Sequence, residues 1–197
     1  MNGECVDVVW NEIVSAVCVC LSATIFSISL LNNIKKNILL IQIFSSILYI
    51  SSYVVMIPIL DTAVMGSIVA IAEVIRLIVF YFITNSERLN TKNINIITGV
   101  SFAILISVAT IYAWAGWYCV FPLIGGIIVS LALGCKSVMW IKLSYIFQTL
   151  CVILYLAFMH LWINMVSQIV VVIMGIVGLI GFILKKRKDE AETQKIE

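Results

Sequence analysis

Charge is scarce in this chain. Asp, Glu, Lys and Arg together make up 11% of its 197 residues, against about a quarter in soluble domains. Histidine occurs once, at His160, and proline twice, at Pro58 and Pro122. These shortages exclude whole classes of protein. A soluble chain of this length must cover its core with a polar shell, and 63% apolar residues leave too little to make one. A soluble enzyme, a disordered chain and a nucleic-acid-binding module are therefore excluded. A lone histidine builds neither a metal site nor a triad. His-Glu-x-x-His, Gly-x-Ser-x-Gly and phosphate-loop spacings are absent too. An intramembrane enzyme thus ranks last, and neither a cofactor nor a metal is expected. The net charge of +2 gives no reason to expect nucleic acid or another acidic partner.

What the chain does have is long apolar runs. About 20 apolar residues cover the hydrocarbon core as a helix, and seven segments qualify: 8–31, 37–56, 62–83, 94–114, 118–134, 137–158 and 162–184. The fifth is the shortest. The expected fold class is an all-α polytopic membrane protein with seven transmembrane helices. The first segment follows an acidic start without a basic n-region, so it is expected to be a spanning helix rather than a cleaved signal.

The few charges test this count. Lys35 and Lys36 fall between the first two spans, Arg88 and Lys92 between the third and fourth, and Lys136 between the fifth and sixth. Lys142 lies one turn inside the sixth span, and Lys185, Lys186, Arg187, Lys188 and Lys195 follow the seventh. With seven spans all of these share one side. Glu4, Asp7, Glu12, Asp61 and His160 occupy the other. Basic loops stay cytoplasmic, which predicts an outer N-terminus and a cytoplasmic C-terminus in a multi-pass protein of the bacterial inner membrane. The basic run after the seventh span reads as an ordinary stop-transfer cluster against lipid head groups. Membrane lipids are the expected surroundings, and a homo-oligomer is compatible with the sequence.

Spans two and six resemble one another. Lys36, Gln42 and Ile47-Leu48-Tyr49 match Lys142, Gln148 and Ile153-Leu154-Tyr155 at one common offset. Three helices, a linker helix and three more (3+1+3) place two parallel three-helix bundles in the same orientation. The expected divisions are 1–84 for the first bundle, 85–117 for the loop and linker helix, 118–184 for the second bundle and 185–197 for a cytoplasmic tail.

Polar residues within the spans fall into stripes. Gln42, Ser45, Ser46, Tyr49, Ser52 and Tyr53 share one face of span two, and Ser144, Gln148, Cys151 and Tyr155 one face of span six. Such stripes face other helices or a wet cavity, because exposing them to lipid is costly. In span three, Glu73 and Arg76 stand three residues apart and can pair. Gly66, Ser67 and Ala70 extend that face. The pair has two readings: a binding site in which Glu73 meets a polar or cationic ligand or a proton, or a buried structural lock with Arg76 snorkelling to the head groups. Asn164, Ser167 and Gln168 add polarity to span seven.

Other features have plainer readings. The six cysteines act as small apolar residues, with one pairing left open, between Cys5 and Cys119 on the same side. Gly175, Gly178 and Gly181 suit tight helix packing better than a hinge. Pro58 reads as a helix stop and Pro122 as a helix start. Trp10, Trp114, Trp117, Tyr118 and Trp162 form an outer aromatic belt, with Trp140 near the inner interface.

The start of span five, Phe121-Pro122-Leu123-Ile124-Gly125-Gly126-Ile127-Ile128-Val129-Ser130, resembles the corresponding segment of the YgjV-type bacterial inner-membrane proteins. So do Ala132-Leu133-Gly134-Cys135-Lys136, the basic Lys142 and the Ile75-Arg76 pair. The likeness extends from Lys35 onward. It implies a seven-span plan like that of SWEET and PQ-loop transporters, hence a small-molecule carrier of unspecified cargo. The Pro-Gln pair of PQ-loop proteins is absent, since Pro58 precedes Ile59 and Pro122 precedes Leu123. Where SWEET-like carriers face polar residues from spans three and seven, this chain offers Glu73 and the apolar Met174, which argues against a sugar site of that type.

The expected function is transport of a small polar metabolite by rocking of the two bundles. Glu73 and Arg76 are its charged site residues, with Tyr49, Gln148 and Asn164 beside them. The alternative is a non-transporting or lipid-interacting membrane subunit that uses Glu73 and Arg76 as a structural pair.

Overall fold

The computed structural model describes residues 2–56, 61–114, 116–135, 137–159 and 161–193, and their side chains apart from those of 2–9, 56, 61–66, 163 and 189–193. Pro58, Lys136, His160 and Lys195 lie outside the described residues. So does the side chain of Cys5, and with it the pairing to Cys119.

Seven α-helices and no strand make up the described residues. They are α1 (Asn2–Leu31), α2 (Lys35–Met56), α3 (Asp61–Asn85), α4 (Lys92–Tyr112), α5 (Val120–Leu133), α6 (Val138–Phe158) and α7 (Trp162–Thr193). Six are long and apolar enough to cross a membrane. The seventh, α5, has 14 residues and a 3₁₀ turn, Trp117–Cys119, before it. At 1.5 Å per residue its α-helical part covers about 21 Å, short of a hydrocarbon core of about 30 Å. The polypeptide is an all-α polytopic membrane protein.

Two other helices depart from the expected limits. α1 already begins at Asn2, and α7 runs on through Lys185–Lys188 to Thr193. A helix continues past the last apolar residue because Lys, Arg, Glu and Ala are strong helix formers. The 185–197 tail is therefore helical over its described part.

Within each triplet the middle helix packs on both flanking ones, α2 on α1 and α3, and α6 on α5 and α7. α4 connects the triplets by packing on α3 and α5, and α7 closes against α1. Polar residues point inward, while Phe44, Ile47, Val54, Ile104, Val108, Ile173 and Val177 stand exposed on the outside. This inversion suits a chain whose outer solvent is hydrocarbon.

Short polar contacts bring the basic segments to one end of the bundle. Lys35 Nζ donates to the carbonyls of Leu133 (2.7 Å) and Cys135 (3.2 Å), satisfying acceptors left over at the end of α5. Lys142 Nζ donates to Asn33 Oδ1 (2.9 Å) and the Gly178 carbonyl (3.1 Å), with the Phe182 ring beneath it at 5.3 Å. Each lysine reaches from the start of its own triplet's middle helix to the other triplet. Thr91 caps α4 by accepting from the Ile94 amide, and the adjacent Asn90 and Asn95 are hydrogen-bonded. The core lies toward this same end. Leu30, Leu39, Phe80, Leu133 and Ile141, all wholly buried, form an apolar layer across it.

Candidate functional site

Each helix contributes to the centre of the bundle according to its register. Glu73 is the middle residue of α3, and Arg76 lies about 4.5 Å nearer the basic end at 1.5 Å per residue. A cavity of about 110 Å³ opens beside them. Its walls are Ser22, Ala23 and Phe26 of α1; Ser45, Ser46 and Tyr49 of α2; Glu73, Arg76 and Leu77 of α3; Tyr145, Gln148, Thr149 and Val152 of α6; and Gln168 and Val171 of α7. Both triplets therefore line it. On α1, α2, α3 and α6 the apolar layer stands about one to three turns nearer the basic end than these residues, and so lies between them and that end.

The charged pair is made as its spacing predicts. Arg76 Nη2 stands 3.6 Å from Glu73 Oε1. The same oxygen accepts from Gln148 Nε2 at 3.0 Å, which ties α3 of one triplet to α6 of the other. Arg76 does not snorkel. Its residue is 1% exposed, and its Nη1 donates across the bundle to Ser130 Oγ (2.9 Å) and the Gly126 carbonyl (3.3 Å) of α5. Ser130 Oγ itself donates to that carbonyl at 2.7 Å. The guanidinium is thus a strut between α3 and α5, and its net charge is balanced by Glu73. The Glu73 side chain, 25% exposed, faces the cavity.

Of the five residues expected at a site, Glu73, Arg76, Tyr49 and Gln148 come together and Asn164 does not. Gln168, one turn further along α7, lines the cavity in its place. The Asn164 carbonyl accepts from Ser167 Oγ at 2.7 Å. Tyr49 Oη meets Tyr53 Oη at 3.1 Å, with the rings edge to face.

The polar stripes divide into two kinds. None of their members is exposed to the outside, but several serve their own helix. Ser52 donates to the Tyr49 carbonyl and Ser144 to that of Ile141, the usual way a serine is satisfied away from water. Ser45 and Ser22 donate to each other's carbonyls, each at 2.9 Å, and clasp α2 to α1. On α6 the lining face is Tyr145, Gln148, Thr149 and Val152, so only Gln148 of the expected stripe reaches the cavity. Ser144 and Cys151 are buried elsewhere.

Two residues, Ser130 and Tyr145, gain importance that their positions in the chain did not announce, and a third, Lys142, is buried more deeply than its place one turn inside span six implies. Ser130, a lone hydroxyl in an apolar helix, receives Arg76. Tyr145 is buried against Phe26, ring to ring at 5.4 Å. Lys142 is wholly buried. Among the described residues no three His, Cys, Asp or Glu side chains gather as a metal site would require.

Comparison of the chain with protein-family models, with curated proteins and with solved structures finds no match in any of the three.

Proposed function

We propose that the protein is a carrier of a small polar solute, bound between the two triplets at Glu73 and moved by rocking of one triplet against the other. The observation that carries this reading is the placement of Glu73. Its carboxylate sits at mid-helix in a cavity lined by polar side chains from both triplets. An ionisable group inside a membrane, directed at a cavity rather than only at a partner, marks a solute path. The apolar layer supports the same reading, because a carrier closes one end while its site stands free of it. Arg76 belongs to a second reading. Its bonds to Ser130 and Gly126 favour a structural role for this one residue, as in a non-transporting subunit.

The resemblance to YgjV-type proteins supports a bacterial inner-membrane location. The gathering of basic residues at one end supports a cytoplasmic C-terminus. In a cysteine-free background, Glu87→Cys should react with a membrane-impermeant maleimide only after cells are broken, and Leu161→Cys should react in intact cells. The reverse pattern refutes the orientation.

Glu73→Gln tests the site. Pools of metabolites that raise the melting temperature of the purified protein should leave that of the variant unmoved, since only a ligand of the folded form stabilises it. The carboxamide is isosteric and still meets Gln148, and although it leaves the Arg76 charge unbalanced and lowers the starting melting temperature, the shift is read against the variant's own ligand-free value. An equal shift in the variant removes Glu73 from the site.

A further inference from the structure

The cavity's chemistry is specific enough to name a solute class, a step that rests on the carrier reading. We infer that it takes a short zwitterion, a solute carrying one carboxylate and one ammonium group.

Size sets the first bound. A cavity of about 150 Å³ holds benzene, so about 110 Å³ suits a solute of roughly four to six non-hydrogen atoms.

Unused hydrogen-bonding capacity sets the second. Arg76 Nε is buried without a hydrogen-bond partner among the described residues, and so is the Tyr145 hydroxyl. Both residues line the cavity and are 1% and 2% exposed. Two donors, one of them cationic, thus lie unpaired in side chains of the cavity wall but closed off from solvent; an acceptor that draws these side chains toward the cavity satisfies them, and a carboxylate gives the strongest pairing because its bonds are charge-assisted. Glu73 supplies the opposite end. Its Oε1 takes the bonds from Gln148 and Arg76, which leaves Oε2 without a donor among the described residues. An ammonium group satisfies it.

Charge balance sets the third. Glu73 and Arg76 neutralise one another, so an anion or cation alone would leave an uncompensated charge at the middle of the bundle. A zwitterion adds no net charge while pairing both ends. The Phe26 and Tyr145 rings leave an apolar wall for at most a small side chain.

The test uses the purified protein in detergent and five probes: glycine, alanine, glycinamide, acetate and glycerol. Glycine or alanine should raise the melting temperature, and the other three should not, since each lacks one or both charged ends. Tyr145→Phe should retain the melting temperature of the ligand-free protein, because the ring still packs on Phe26. It should weaken the zwitterion about tenfold or more by removing a hydrogen bond to a charged group. Equal stabilisation by glycinamide, acetate or glycerol overturns the proposal. So does unchanged affinity in Tyr145→Phe, or no effect of either zwitterion. If a metabolite pool still acts through Glu73 in that last case, the solute class falls and the carrier reading stands. If no pool acts through Glu73, both fall.

Discussion

Replacing Arg76 with methionine will destabilise the fold by about 3–5 kcal/mol, the usual cost of breaking a buried ion pair from one side. The quarter exposure of the Glu73 side chain puts the value toward the lower end. Two losses combine. The guanidinium bonds to Ser130 Oγ and the Gly126 carbonyl vanish, and with them the strut from α3 to α5. Glu73 then keeps only Gln148 as a hydrogen-bond partner, with its charge uncompensated. Against a total stability of about 5–15 kcal/mol, the variant should unfold at markedly lower temperature or denaturant concentration. The stranded charge can be separated from the lost strut. In the double variant Arg76→Met with Glu73→Gln no charge is stranded, so the combined cost should fall below the sum of the single costs by about 0.5–3 kcal/mol. Strict additivity in the unfolding of the purified proteins would show that the carboxylate is indifferent to Arg76.

Much of this arrangement is legible in the residues, for a physical reason. Hydrocarbon demands that every backbone group be bonded within its own segment, so apolar length alone locates the helices. Scarce charge makes each Lys and Arg informative, and their gathering at one end follows from counting spans. Glu73 and Arg76 pair because three residues of helix bring them to one face. The rest depends on tertiary direction. That Arg76 reaches Ser130 rather than the head groups is a choice of rotamer set by the closeness of α5. Gln168 rather than Asn164 lines the cavity because of the depth at which the cavity meets α7, which a stripe of polar residues on one face leaves undetermined by one turn. Ser52 and Ser144 look like pathway residues in the chain, yet their hydroxyls go to their own helices.

The repeat shows where symmetry ends. Gln148 meets Glu73, whereas its counterpart Gln42 is wholly buried and both of its amide atoms lack a partner among the described residues. At the offset relating the two glutamines, Glu73 and Arg76 correspond to Leu179 and Phe182. The acidic partner therefore exists once. The charged chemistry thus lies in one of the two similar halves, which is why the proposed site centres on Glu73 rather than on either glutamine.

The second large effect concerns the seam between α1 and α7, where three glycines that look equivalent in the chain will behave differently. A Cβ at Gly178 would fall on the backbone carbonyl of Leu30, with the carbonyl carbon 2.9 Å away. Backbone cannot turn aside as a side chain can, so α1 and α7 must separate. Gly178→Ala should then cost about 1–3 kcal/mol, the range for overpacking. It should also loosen Lys142, whose ammonium is held by the Gly178 carbonyl and by Asn33 at the end of α1. At Gly175 the nearest atom is Ile146 Cγ1 at 2.8 Å; that side chain is stiff at χ1, but it yields with less displacement of whole helices than a backbone carbonyl does, so Gly175→Ala should cost less. A Cβ at Gly181 meets nothing within 4 Å, and alanine there should be neutral or stabilise by about 0.5–1 kcal/mol through helix propensity. Thermal unfolding of the three purified variants should rank them in that order. A Gly181→Ala protein as damaged as Gly178→Ala would mean that these glycines serve backbone flexibility, and that the close approach of α7 to Leu30 does not hold the two triplets together.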